Sequence, residues 1–133
     1  VATNLAAGLW GAFAWLRSIP SKVFWYLLRV AQAGVVIQVG LGALLLAGGR
    51  HPPHDLHLVY GILPLAVVVG SEAMRAGASQ KELAGVQNAD SLPENQQIAV
   101  AKRVVRREIG IMAVAALLIV SLALRAAATG GAI

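Results

Sequence analysis

The chain has 133 residues, 58% of them apolar and 13% charged, with a mean hydropathy of +0.71. Soluble domains carry roughly 45–50% apolar and about 25% charged residues, so this composition excludes one and points to an all-α integral membrane protein. Eleven basic and six acidic residues give a formal charge of +5, and the absence of cysteine excludes disulfides, thiolate metal sites, iron–sulfur clusters, thioether-bound haem and cysteine nucleophiles.

The first apolar piece, residues 5–16 (LAAGLWGAFAWL), is a dozen residues long and ends at Arg17. That length suits an interfacial helix or, alternatively, a short fourth transmembrane helix. Trp10, Trp15, Trp25 and Tyr26 flank Arg17, Lys22 and Arg29, and such rings favour the headgroup zone. Ser18-Ile19-Pro20-Ser21 predicts a break, with Ser18 or Ser21 capping the next helix. No basic start, long apolar run and small-residue cleavage site occur together, so a cleavable signal peptide is not expected.

Residues 30–49 read VAQAGVVIQVGLGALLLAGG, uncharged and long enough to span about 30 Å of hydrocarbon. Residues 58–74 form a second, shorter span with Glu72 near its far end. Residues 76–93 (AGASQKELAGVQNADSLP) lack a sustained apolar face and read as a loop. From Glu94 the pattern turns helical after a Ser91/Glu94 capping-box spacing. A basic amphipathic helix over 94–108 then continues into a span over 109–128. The expected fold is therefore three transmembrane helices in a single membrane domain, preceded by the N-terminal helix, with the third span extended beyond the membrane.

Nine of the eleven basic residues (Arg17, Lys22, Arg29, Arg75, Lys81, Lys102, Arg103, Arg106 and Arg107) fall on one side of such a three-span layout, leaving Arg50 and Arg125 on the other. The positive-inside rule then makes 75–108 cytoplasmic and puts the 50–57 loop and the C-terminus outside a bacterial plasma membrane.

Four features are candidates for function. Lys102, Arg103, Arg106 and Arg107 precede the third span, where basic residues contact anionic lipid headgroups or an acidic partner and also set topology. They belong to no nucleic-acid-binding module. The loop residues His51, His54, Asp55 and His57 have side chains able to bind zinc or copper. The same loop also reads as a tight turn in which Asp55 caps the next helix. No histidine lies at mid-membrane depth, which argues against a bis-histidine haem. Glu72 and Arg75, three residues apart, form an expected interfacial ion pair. Gln32 and Gln38 offer hydrogen bonds to neighbouring helices, while Gly34, Gly40, Gly42, Ala43, Ala47, Ala66 and Gly70 are small residues that let helices approach closely in lipid.

The run HPPHDLHLVYGILPL (51–65) and the run ENQQIAVAKRVVRREIGIM (94–112), set in an Ala/Val/Gly-rich chain, resemble small actinobacterial membrane proteins. Among these are the accessory subunits of the mycobacterial cytochrome bcc–cytochrome c oxidase supercomplex. The resemblance implies a non-catalytic subunit that supports assembly or stability, with haem and copper held by partner subunits and no cofactor of its own beyond structural lipids. Expected partners are other integral membrane subunits and anionic lipids. Two other readings stand beside it: a small homo-oligomeric transporter or channel with Glu72, Gln32 and Gln38 on a polar path, and a metal-binding membrane protein using the His-rich loop.

Overall fold

The computed structural model describes residues 1–84 and 91–129, in which all regular structure is helical. Helix α1 covers Ala2–Arg17, α2 Lys22–Ala47, α3 Asp55–Ala84 and α4 Glu94–Thr129. Three of them, α2, α3 and α4, are long and apolar enough to cross a membrane.

Local chemistry sets the boundaries. Helix α1 stops at Ser18, which adopts the left-handed conformation at φ 54°, and the following amide of Ile19 donates to the Ala14 carbonyl at 2.9 Å. Pro20 disfavours helix at Ile19. Ser21 then restarts the chain: its Oγ accepts from the Phe24 amide at 3.2 Å and from Trp10 Nε1 at 2.9 Å, tying the new helix to the old one. Helix α2 ends at Gly48-Gly49, where Gly49 takes φ 81°, a value glycine reaches without steric cost. Asp55 is the first residue of α3, its charge favourable at the positive end of the helix dipole. Pro93 precedes α4, and its carbonyl accepts from the amides of Gln96 and Gln97.

Helix α4 is the axis of the bundle, packing extensively along α3 and α1 and touching α2 only slightly. Helix α1 runs antiparallel beside it, since Gly8 lies against Leu117, Gly11 against Ala113 and Trp15 across Gly110. Its buried stripe, Asn4, Ala7, Gly8, Gly11 and Ala14, recurs at three- and four-residue intervals and is small throughout, so the backbones come close. A Cβ on Gly11 would run into the Phe24 ring, which is why Phe24 can be wholly buried there. Phe24, Leu28, Ile109, Met112, Ala14 and Ala113 form the apolar core at the Arg-rich end of the bundle. The outer faces are greasy, with Leu44 70% exposed, as suits helices whose surroundings are hydrocarbon.

One expected boundary needs correction. The loop read over 76–93 is helical up to Ala84, because α3 continues unbroken past its apolar stretch. Periodicity missed this extension because its stabilisation is polar and tertiary: Ser79 bonds to Arg75 and Glu108, and Glu82 pairs with Arg103 and Arg107 of α4. Residues 85–90 of that expected loop lie outside the described residues. Helix α4 runs through the basic and the apolar stretches as one helix of 36 residues, about 54 Å at the standard rise.

Candidate functional site

The polar side chains gather at one end of the bundle in a ladder across three helices. On α3, Glu72, Arg75, Ser79 and Glu82 stand at helical intervals of three and four, so they line one stripe. Glu72 is the busiest. Its Oε1 accepts from Arg29 Nη1 at 2.8 Å and Gln32 Nε2 at 2.9 Å, both on α2. Its Oε2 accepts from Arg75 Nε at 2.9 Å and lies 2.8 Å from Nη2, so two nitrogens of one guanidinium share a single carboxylate oxygen within α3. Arg29 also donates to Gln32 Oε1 at 2.7 Å, closing a three-membered ring of contacts. The Arg75 guanidinium lies 5.5 Å from the centre of the Trp25 ring, a cation–π contact.

The next rung joins α3 to α4. Ser79 Oγ donates to Glu108, whose Oε1 is also 3.7 Å from Arg75 Nη1. Beyond it, Glu82 faces Arg107 at 3.1 Å and Arg103 at 3.7 Å. Thus Glu72 and Arg75 meet, and the structure adds partners that sequence reading missed: Arg29, Ser79, Glu82 and Glu108. The intervals Glu72, Ser79 and Glu82 on one helix and Arg103 and Arg107 on the other were the available signal. A carboxylate held by an arginine from each side and by an amide is committed to holding helices together.

The basic run preceding the third span divides into two faces. Arg103 and Arg107, four apart, turn to α3 and Glu82. Lys102 and Arg106, also four apart, turn to the α1–α2 connection, where Arg106 Nε reaches the Trp15 carbonyl at 3.4 Å.

The opposite end holds the histidines. His57 Nδ1 lies 2.9 Å from the Ala126 carbonyl, tying the start of α3 to the last turns of α4. His51, His54 and Asp55 do not converge with it: among the described residues no group of three His, Cys, Asp or Glu side chains stands where it could share one metal ion. Here α2 leans away from α3. A cavity of about 340 Å³ opens between them, walled by Gln38, Gly42 and Leu46 on α2 and by His57, Gly61 and Ile62 on α3. A separate, smaller one of about 100 Å³ lies beside Gly34 and Gln38, walled by Asn4 of α1, Pro64 of α3 and Ile119 of α4.

Of the small residues expected at helix contacts, Gly34, Gly42 and Ala43 line these two cavities, while Gly70 lines a separate one between α3 and α4. A Cβ on Gly34, Gly40, Gly42 or Gly70 would meet nothing within 4 Å, and Ala43, Ala47 and Ala66 are exposed. Close packing inside the chain is made instead by Gly8, Gly11 and Gly110, where a Cβ would fall at 2.9 Å or less from a neighbouring side chain. The pattern Ala7-Gly8-x-x-Gly11-x-x-Ala14, with small residues at three- and four-residue spacing, was the sign of it. Gln38 makes no hydrogen bond among the described residues, whereas Gln32 is taken by Glu72 and Arg29.

Set against protein-family models, curated proteins and solved structures, the chain matches none of them.

Proposed function

We propose that the chain is a non-catalytic accessory subunit of a multi-subunit bacterial plasma-membrane complex, and that this complex is the respiratory bcc–oxidase assembly its sequence resembles. The observation that supports this reading is the open stripe on α2. Gly34, Gln38 and Gly42 stand four residues apart on one face, with nothing from this chain within 4 Å of where either glycine's Cβ would be. A polar amide flanked by two glycines inside an apolar helix allows close approach and a hydrogen bond out of water's reach, and here it borders gaps that this chain's own α3 and α4 leave unfilled, room for a segment of a neighbouring subunit. Haem and copper then belong to the neighbouring subunits, and this chain supports assembly by helix packing and lipid contact.

The transporter reading is weakened because Glu72, the carboxylate its polar path needs, is held by Arg29, Gln32 and Arg75. The antiparallel run of α1 along α4 supports its insertion as a short fourth helix in place of a position on the surface. At 16 residues, about 24 Å, it falls somewhat short of a hydrocarbon core of roughly 30 Å. By the positive-inside rule the end carrying the ladder faces the cytoplasm and the histidine end faces out.

Mild-detergent purification of the tagged chain from its native membranes, followed by mass spectrometry, tests the proposal. Oxidase subunits in fixed ratio are expected, and Gly42→Leu is expected to release them while the chain keeps its own thermal stability. A stable oligomer of this chain alone, with no oxidase subunit, overturns it.

A further inference from the structure

We infer that the Lys102/Arg106 face of α4 and the α1–α2 turn together form a seat for one anionic phospholipid. A cavity of about 220 Å³ lies between them. Its wall is apolar, built by Ile19 of the turn and by Ile98, Ala101 and Val105 of α4. Ile98 and Ile19 are each about half exposed, at 50% and 48%. The inner end of the cleft, at Ala14 and Ile109, is level with the first residue of the 109–128 span, and Val105 lies about 6 Å beyond it, where the hydrocarbon gives way to headgroups, while Ile98 stands farther out, about 16 Å beyond. An apolar cleft at that depth fits the upper part of an acyl chain.

The rim supplies the charge. Lys102 makes no ion pair or hydrogen bond among the described residues, and Arg106 makes only its long bond to the Trp15 carbonyl among them. No acidic residue lines the cavity. The contrast with the other half of the same basic run decides the assignment: Arg103 and Arg107 have Glu82 as counter-ion, whereas Lys102 and Arg106 face a cleft with none. A phosphodiester without an attached ammonium supplies the missing negative charge, whereas a choline headgroup brings its own cation to a rim that lacks an anion.

The seat is built before the lipid arrives. Left-handed Ser18, the Ile19 amide bonded to Ala14 and the Trp10–Ser21 hydrogen bond fix the turn that forms one wall. This inference deepens the lipid-contact part of the function proposed above. Its test needs no partner subunit, so either can fail without the other.

The full chain, purified in detergent and incubated with equal amounts of phosphatidylglycerol and phosphatidylcholine, is examined by native mass spectrometry for retained lipid. One phosphatidylglycerol per chain is expected. Lys102→Gln with Arg106→Gln should reduce its retention roughly tenfold or more, since each basic residue near the surface is worth about a fivefold effect. Arg103→Gln with Arg107→Gln removes the same formal charge and should change retention less than threefold. Ala101→Phe, which fills the cleft, and Ile98→Gln, which makes its wall polar, should each lower retention with the charge intact. Both positions are exposed, and an unchanged helical circular dichroism spectrum confirms folding. Equal losses from the two charge pairs, equal retention of phosphatidylcholine, or full retention in both Ala101→Phe and Ile98→Gln would overturn the proposal, since each describes a diffuse field and no seat.

Discussion

The two ends of this bundle are held in different ways. At the Arg-rich end the core of Phe24, Leu28, Ile109 and Met112 is closed, the glycines of α1 and α4 are in contact with side chains, and Glu72 joins α2 to α3 through Arg29 and Gln32. At the histidine end, the hydrogen bond between His57 and the Ala126 carbonyl ties α3 to α4, while α2 stands off from α3 across a cavity of about 340 Å³. The buried residues of α2, Phe24, Leu28, Ala31 and Val35, all lie before its last twelve residues. Helix α2 is therefore anchored at one end and free at the other. In lipid no hydrophobic effect closes such a gap, because hydrocarbon solvates the exposed half as well as protein does. Specific polar contacts and close packing decide where helices join, and this chain concentrates both at one end.

The largest expected effect comes from removing the pin. Glu72→Ala leaves Arg29, Gln32 and Arg75 without their common acceptor. A loss of about 2–3 kcal/mol is expected, in the range for hydrogen bonds to a charged group. It stays below the cost of breaking a fully buried pair because the Glu72 side chain is 28% exposed. The chain has no cysteine, so spin labels on cysteines introduced at exposed Tyr26 and Met74 report the distance between α2 and α3 directly. That distance should broaden in the variant. A sharp, unchanged distance with unchanged unfolding in detergent would remove the ladder from its anchoring role.

Next comes a pair of glycine substitutions with opposite signs. Gly11→Ala places a Cβ against the ring of buried Phe24 and 2.9 Å from Ala113 Cβ, and should cost about 1–3 kcal/mol through overpacking. Gly40→Ala meets nothing within 4 Å and should stabilise the isolated chain by roughly 0.5–1 kcal/mol through the better helix propensity of alanine. Thermal unfolding of both variants in the same detergent checks the signs. If both destabilise alike, the open half of α2 is packed against something in the purified protein.

Composition and periodicity made the helical, membrane-embedded character legible, and the charge asymmetry separated the two ends. What they left out has a physical cause. Residues 76–84 have no apolar face to signal a helix, and they are helical because Ser79 and Glu82 bond to α4. Small residues are ambiguous in the same way. Gly8 and Gly34 look alike in sequence, and only the path of the neighbouring helix makes one a contact and leaves the other open. The pairing of Glu72 with Arg75 could be read from spacing, while its bonds to Arg29 and Gln32, some forty positions away, depend on the fold. The His-rich loop could be read from sequence as a set of ligands or as a turn, while the contact of His57 with the Ala126 carbonyl, 69 positions away, depends on the fold.

At the open end, His57→Ala tests how much that contact holds. Loss of one hydrogen bond to a carbonyl should cost about 1 kcal/mol. The effect should appear as faster hydrogen exchange in the last turns of α4, leaving the Arg-rich end unchanged. If protection falls equally at both ends, the bundle opens as one unit and the contrast between its ends disappears.

The smallest effect is expected at the last rung of the ladder. Arg103 and Arg107 are 58% and 55% exposed, and Glu82 is their shared partner. Exposed pairs of this kind contribute about 0.2–1 kcal/mol because water and salt screen the attraction and two long side chains lose freedom in making it. Glu82→Gln should therefore lower stability by about 0.5 kcal/mol in low salt and by almost nothing at roughly 1 M, where the screening length is about 3 Å. Glu72→Ala should keep most of its effect under the same salt, since its acceptor bonds are shorter and one of its arginines, Arg75, is only 28% exposed. Measured side by side, the two salt dependences show how far along α3 the solvent reaches. Similar curves would mean that salt screens the Glu72 cluster as readily as the Glu82 pairs, and that close packing in the Phe24 core, more than the carboxylate, holds α2 in place.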